Sequence, residues 1–175
     1  MSNKIFSGDM LKGKKGIIMG VANDKSIATG IAKAARAQGA ELAFTYQGEI
    51  LKKRVAPIAE SLGSSMIYEC DVTNSKSIDD LFSFIERKWG KLDFIVHSIA
   101  FSNKDELKGK FVDTSLDNFL LTMNVSCYSL TAITQRAEKL MTDGGSIISM
   151  TYYGAEKVMP HYNVMGVANQ PLKQA

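Results

Sequence analysis

Five short apolar runs alternate with segments of helical periodicity along this chain, and that alternation leaves few folds open. Apolar runs of this kind, separated by helices, are typical of parallel strands that are buried on both faces of a sheet. We therefore predict an α/β fold, a doubly wound parallel sheet of the Rossmann type with right-handed crossovers. The predicted strands are Lys15–Met19, Glu41–Tyr46, Ser65–Cys70, Phe94–Ile99 and Gly145–Met150. The intervening helices are predicted over 26–38, 50–62, 78–88 and 116–140.

The predicted sheet is incomplete after its fifth strand. About 25 residues follow Met150, whereas a complete fold of this kind continues with another helix and further strands. The sequence contains no internal repeat, low-complexity tract or interdomain linker. We predict a single domain over residues 1–175.

Composition excludes several classes of protein. Apolar residues make up 45% and charged residues 22%, and the net charge of +3 is too small to indicate a nucleic-acid partner. Cys70 and Cys127 are predicted to be buried free thiols in a reducing compartment, the cytoplasm, and together with the isolated His97 and His161 they show no metal-ligand spacing. No apolar run has the roughly 18–20 residues of a membrane span, and Met1–Met10 lacks the apolar core of a secretory signal.

The turn after the first strand is suited to binding a phosphate. Gly20 permits a tight turn and close approach of a pyrophosphate, and the helix that starts after Ser26 offers unpaired N–H groups. The usual Gly-x-Gly-x-x-Gly pattern is absent, so an ordinary strand-to-helix turn stays open as an alternative. Gln47 stands where many such folds carry an acidic residue for the adenosine ribose, and the basic residues Lys52, Lys53 and Arg54 after it leave NADPH open as an alternative to NADH. Asp71, after the third strand, is placed either to bind an adenine amino group or simply to form a turn.

Three tyrosines follow the fifth strand, at the edge of the sheet where α/β folds bind ligands. They are Tyr152, Tyr153 and Tyr162. Buried tyrosines are usually core residues, but a phenol near a cofactor can donate a proton or a hydrogen bond to a developing oxyanion. This cluster therefore favours a catalytic site.

Together these segments resemble the NADH-dependent enoyl-[acyl-carrier-protein] reductases, a divergent branch of the short-chain dehydrogenases/reductases. The matching segments are Gly20-Val-Ala with Ser26-Ile-Ala, Ala40-Glu-Leu-Ala-Phe-Thr-Tyr-Gln47, Cys70-Asp-Val72, Val96-His-Ser-Ile-Ala-Phe101, Tyr152-Tyr-Gly-Ala-Glu156 and Tyr162-Asn-Val-Met-Gly-Val-Ala168. The resemblance implies that NADH reduces the trans-2 double bond of an acyl-carrier-protein thioester in fatty acid biosynthesis. It also implies a homotetramer, although the short chain puts that assembly in doubt.

The resemblance assigns roles to particular residues. It implies that Tyr162 is the catalytic tyrosine and Tyr152 a second active-site tyrosine, and it places Ser102 at a substrate-contacting position. The residues implied to bind NADH are Gly20, Ser26, Ile27, Gln47, Asp71, Val72, Ser98 and Ile99.

The chain departs from the family pattern over residues 169–175. The family carries a lysine seven residues after the catalytic tyrosine, where this chain has Asn169, and the family's later strands and substrate-binding loop have no counterpart. A one-base deletion at codon 169 would produce such a tail, since restoring one A permits the reading Lys-Ser-Ala-Phe-Glu-Ala-Ser. We therefore expect poor solubility and little activity. Two alternatives stay open: an inactive dinucleotide-binding remnant, and a β-ketoacyl or carbonyl reductase of the same superfamily.

Overall fold

The sheet has the predicted doubly wound arrangement. A computed structural model describes residues 6–173, so residues 1–5 of the N-terminal segment and residues 174–175 of the divergent tail lie outside the described residues. Within residues 6–173, five parallel strands pair in the order β3-β2-β1-β4-β5. They are β1 Lys15–Met19, β2 Glu41–Tyr46, β3 Ile67–Glu69, β4 Phe94–His97 and β5 Ser146–Ser149. The strands β3, β4 and β5 are shorter than predicted, and β4 ends at His97, because the residues after it turn away from the sheet at its carboxyl edge.

Helices cover both faces of this sheet. They are α1 Ile27–Ala37, α2 Gly48–Ser61, α3 Ser75–Trp89, α4 Leu116–Met123, α5 Ser129–Ala137 and α6 Asn163–Asn169. Successive strand residues point to opposite faces, so Ile17 packs in the core beneath α3 and α5 while Ile18 packs beneath α1 and α2. The two cores explain why the strand sequences are apolar without alternation.

The segment predicted as one helix over 116–140 contains a π-helical turn. This turn spans Asn124–Tyr128, between α4 and α5, and a 3₁₀ turn ends the segment. Ser126 lies in the π turn with its side chain buried, and its Oγ accepts a hydrogen bond from the Phe101 N–H at 2.9 Å. The turn therefore joins the helix to the chain that follows β4, and π turns of this kind are frequent at functional sites.

The carboxyl ends of β1 and β4 approach each other at the edge where the predicted site residues lie. Gly20 follows β1 with a φ of +89°, and a Cβ added there would lie 1.8 Å from the Ser98 carbonyl oxygen. Only glycine permits this approach.

Among the described residues, none of the helices combines the length and the apolar character that crossing a bilayer requires. Over the same residues, 6–173, the His, Cys, Asp and Glu side chains form no group of three that would hold a metal ion.

Candidate active site

A cavity of about 420 Å³ opens at the carboxyl ends of β1 to β4. It lies where the order of the strands reverses between β1 and β4, the position at which open α/β sheets bind their ligands. Its walls include six residues predicted to bind a dinucleotide: Gly20, Gln47, Asp71, Val72, Ser98 and Ile99. The fold thus brings together four strand ends that are far apart in the sequence.

Ser26 and Ile27 lie beside this cavity but outside its walls. The Ser26 Oγ accepts hydrogen bonds from the N–H groups of Ala22 and Asn23 at 3.1 and 3.0 Å. Its hydroxyl therefore stabilises the turn between β1 and α1. Ile27 begins α1 with 65% of its side chain exposed, so its backbone, rather than its side chain, is suited to a phosphate.

Asp71 presents a carboxylate at the far end of the cavity. Its Oδ1 accepts hydrogen bonds from the Thr73 N–H at 2.9 Å and from the Thr73 hydroxyl at 2.7 Å. Partial burial raises the pKa of Asp71, but the bonds from Thr73 and one from Gln47 outweigh it and hold the pKa below its usual value. The carboxylate is therefore charged at neutral pH and its second oxygen remains an acceptor.

The two cysteines are free thiols, as predicted. Cys70 is buried in the cavity wall, and burial raises its pKa to about 12, whereas Cys127 is half-buried. The Cys70 thiol stays protonated at neutral pH, which gives it no nucleophilic character.

Ser102 is turned toward α4. Its Oγ accepts hydrogen bonds from Thr122 Oγ1 at 2.9 Å and from Asn118 Nδ2 at 3.1 Å, and both of those side chains are buried. The Asn118 Oδ1 also accepts the Asn103 N–H at 2.9 Å. The structure thus uses Ser102 to anchor the segment after β4, and its contact with a substrate stays a prediction.

Tyr152 and Tyr162 meet beyond the carboxyl end of β5. Their ring centroids lie 5.0 Å apart at an angle of 64°, an edge-to-face arrangement. Gly154 makes room for this pair, because a Cβ at that position would lie 2.4 Å from Cδ1 of Tyr162. The glycine of the Tyr152-Tyr-Gly-Ala-Glu156 segment is thus required by the packing of the Tyr162 ring.

The Tyr162 hydroxyl has a partner that sequence reasoning did not identify. The buried Asn169, seven residues or about two helical turns further along the chain, donates a hydrogen bond from Nδ2 to the Tyr162 oxygen. Burial and the neighbouring Tyr152 raise the pKa of Tyr162, and the bond from Asn169 opposes that rise. Because the oxygen accepts from Asn169, the phenol keeps its own proton to donate. Lys173, four residues after Asn169, pairs with Glu156 instead.

Tyr162 also lines a second cavity, of about 360 Å³, at the same edge of the sheet. Its apolar walls are formed by Phe111, Val158, Met159 and Val167. The two residues that flank Tyr162, His161 and Asn163, have left-handed φ values of 59° and 34°. Backbone conformations of this kind cost energy and cluster at functional sites.

The sequence did not identify several polar residues of α4 and α6 that hold the segment after β4 in place. Asn163 donates from Nδ2 to the carbonyl oxygens of Glu106 and Gly109 at 3.2 and 3.4 Å. Asn118 and Thr122 are buried on α4. The only sequence signal for these residues was a polar side chain on an otherwise apolar helix face. Their hydrogen-bond partners lie on other elements, so the sequence did not identify them.

Comparison with known proteins shows one family throughout. The family model described as enoyl-(acyl carrier protein) reductase matches residues 20–175. The enoyl-[acyl-carrier-protein] reductase [NADH] 1 of Rhizobium meliloti is 61% identical over 94% of this chain and 60% of its own length. Its counterpart in Rickettsia bellii is 56% identical over 94% of this chain and 63% of its own length. The chain thus spans less than two thirds of these relatives.

Solved structures agree with the sequence relatives. The reductase of Anaplasma phagocytophilum, in complex with NAD, is 58% identical with a TM-score of 0.93 over 98% of this chain and 66% of that one. The enoyl-acyl carrier protein reductase of Bacillus cereus, with NADP+ and indole naphthyridinone, is 47% identical with a TM-score of 0.93 over 95% of this chain and 65% of that one.

Proposed function

Since the chain belongs to the enoyl-(acyl carrier protein) reductase family, we propose that it is an NADH-dependent enoyl-[acyl-carrier-protein] reductase of fatty acid biosynthesis. The observation that carries this proposal is the Tyr162 hydroxyl. This hydroxyl keeps a proton to donate, and the ring that carries it packs against Tyr152. Tyr162 also lines the second cavity, and the cavity proposed for the dinucleotide lies at the same edge of the sheet.

The first cavity suits an extended dinucleotide. Gly20 has no side chain and lies against the Ser98 backbone, so a pyrophosphate can approach the backbone at the end of β1 closely. Asp71 offers a carboxylate oxygen to an adenine amino group, and Val72 an apolar surface to the ring. In this proposal the residues that hold the cofactor are the six in the cavity wall, with Ser26 and Ile27 supporting the phosphates from the turn. A relative that binds NAD with a TM-score of 0.93 supports it.

Reduced nicotinamide would supply the hydride that adds to the β-carbon of the enoyl thioester. Negative charge then collects on the thioester oxygen. The Tyr162 O–H donates a hydrogen bond to that oxygen, and a single donor of this kind lowers the barrier by about 2.7–4 kcal/mol. Asn169 keeps the phenol oriented by donating to its oxygen, and the edge-to-face contact with Tyr152 restricts the ring.

The second cavity supports an acyl substrate. Phe111, Val158, Met159 and Val167 give one part of its lining an apolar surface for a hydrocarbon chain, and Glu156, Lys157 and Gln170 add polar groups. In this proposal the substrate is carried by an acyl carrier protein, and the reaction takes place in the cytoplasm, where the free thiols of Cys70 and Cys127 would stay reduced.

The direct test is turnover of a crotonyl thioester with NADH, followed by NADH absorbance, for the wild-type chain, Tyr162→Phe and the matched control Tyr153→Phe. Tyr153 is 55% exposed and lies one residue from the Tyr152–Tyr162 pair. We expect Tyr162→Phe to lower kcat/KM about 10²- to 10³-fold, because one oxyanion donor is lost. Tyr153→Phe should leave it within about twofold of the wild type.

NADH binding, measured by nucleotide fluorescence, separates the enzyme from a binding remnant. Binding without turnover would establish the remnant and contradict the enzyme. A Tyr162→Phe variant as active as the wild type would contradict the role of the phenol. Low solubility stays a prediction, supported by Ile148 on the edge strand β5, which is 50% exposed.

A further inference from the structure

Glu69 lines a cleft of about 540 Å³ that adjoins the cavity proposed for the cofactor, since Tyr46 and Asp71 line both. Glu69 is the last residue of β3 and is paired in register with Tyr46, the last residue of β2. The Gly48 N–H donates to its Oε1 at 3.1 Å. Since Tyr46 and Gln47 line the cavity, this bond fixes a negative charge next to the cavity wall at the end of β2.

Two lysines near Glu69, one on α2 and one on α3, pair with other carboxylates. Lys52 Nζ pairs with Glu49 Oε1 at 2.9 Å, and Lys76 Nζ pairs with Asp80 Oδ2 at 2.6 Å. Asp71, a second carboxylate, lines the same end of the cavity. Lys52 and Lys76 are thus engaged by other carboxylates, whereas Lys53 and Arg54 point into solvent from α2.

NADH and NADPH differ at the adenosine 2′ position, which carries a hydroxyl in one and a phosphate of about two negative charges in the other. Folds of this kind usually place an acidic residue after β2 to select the hydroxyl. In this chain that position is the neutral Gln47. We infer that Glu69 supplies the missing carboxylate from the neighbouring strand β3 and is the residue that discriminates against the 2′-phosphate. This inference rests on the proposed function.

The substitution Glu69→Gln tests it with little change in shape. Glutamine keeps an oxygen that accepts the Gly48 N–H, so the contact between the ends of β2 and β3 survives while the charge is lost. Glu41→Gln is the matched control, because Glu41 is exposed at the opposite end of β2 and the change in net charge is the same. The dissociation constants of NADH and NADPH are measured for each protein by nucleotide fluorescence.

We expect the ratio of the NADPH to the NADH dissociation constant to fall about fivefold in Glu69→Gln, the order of effect of removing one unit charge close to a phosphate in a water-like medium. The ratio should not change in Glu41→Gln. In the wild type the ratio should also fall as salt is added, and this dependence should weaken in Glu69→Gln, which a purely structural role would not produce.

Failure of this inference can be told apart from failure of the proposed function. If NADH binds and the Glu69→Gln ratio equals that of the wild type, or if both constants rise together, Glu69 does not discriminate and the proposed function stands. If neither nucleotide binds to the wild-type chain, both are overturned.

Discussion

At the level of single side chains, Asn169 influences the protonation of the Tyr162 hydroxyl through its hydrogen bond. The amide can stabilise a phenolate by a hydrogen bond but carries no charge to stabilise it further. Tyr162 in this chain is thus a hydrogen-bond donor that stays protonated at neutral pH. A cationic side chain at the same position would make it more acidic.

We expect Asn169→Ala to raise the pKa of Tyr162, because the bond that favours the charged form is lost. Asn169→Lys should lower that pKa below the wild-type value, since an ammonium group then faces the phenol oxygen. The measurement is a titration of tyrosinate absorbance, with the Tyr162→Phe titration subtracted from each variant. Equal Tyr162 pKa values in the wild type and Asn169→Ala would show that the amide does not act on the phenol.

At the level of secondary-structure elements, the start of α6 is tied to the segment between β4 and α4. Asn163 donates to the carbonyl oxygens of Glu106 and Gly109. The Glu106 carboxylate in turn accepts the Ser115 N–H at 2.8 Å and its hydroxyl at 3.0 Å, at the start of α4. The segment is therefore held from two helices, and one of those contacts lies next to Tyr162.

We expect Asn163→Gly to loosen this segment while keeping the left-handed backbone, which glycine adopts without strain. Trypsin cleavage after Lys108 and Lys110 should become several-fold faster, as the loss of the amide frees the carbonyl oxygens it binds. His161→Gly is the control, since His161 is exposed and has a similar left-handed φ. Faster cleavage in both variants alike would attribute the effect to the turn and not to the Asn163 side chain.

For the molecule as a whole, the buried His97 links the sheet to the helical layer. Its Nδ1 lies 3.2 Å from Ser149 Oγ on β5, and its Nε2 lies 2.8 Å from Ser129 Oγ on α5. Ser129 donates its own proton to the Val125 carbonyl oxygen at 2.7 Å, so Nε2 carries the imidazole proton and Nδ1 accepts. Burial lowers the pKa of His97 from 6.5 to about 4, which keeps the ring neutral in the folded protein.

We expect the free energy of unfolding to fall as the pH drops from about 6.5 towards 4, because the unfolded chain binds a proton that the folded chain excludes. The loss attributable to His97 reaches about 2 kcal/mol at about pH 5 and about 3 kcal/mol when the ring is fully protonated. Urea unfolding at about pH 7.5 and about pH 5 measures it. His97→Gln, which cannot titrate, should lose correspondingly less stability over this range, and an equal loss in the variant would assign the effect to other groups.

The sequence by itself determined the layers of this protein and most of its proposed site. Apolar runs and helical periods are local patterns, so they predicted β1 to β5, and the parallel sheet then placed Gly20, Asp71 and Ser98 at one edge. Tyr162 and Tyr152 followed from the segments that resemble the family. In a parallel sheet the carboxyl ends of all strands lie at the same edge, however far apart the strands are in the sequence.

Only the tertiary structure decided which side chains meet at that edge. Asn169 bonds to Tyr162, Ser102 turns toward Asn118, and Glu69 reaches Gly48 from the neighbouring strand. The π turn over Asn124–Tyr128 was likewise not predicted, because the helical periodicity of the sequence is continuous across it. These contacts depend on the register between strands and on the rotation of helices about their axes, which the packing of the whole core sets and no local pattern encodes.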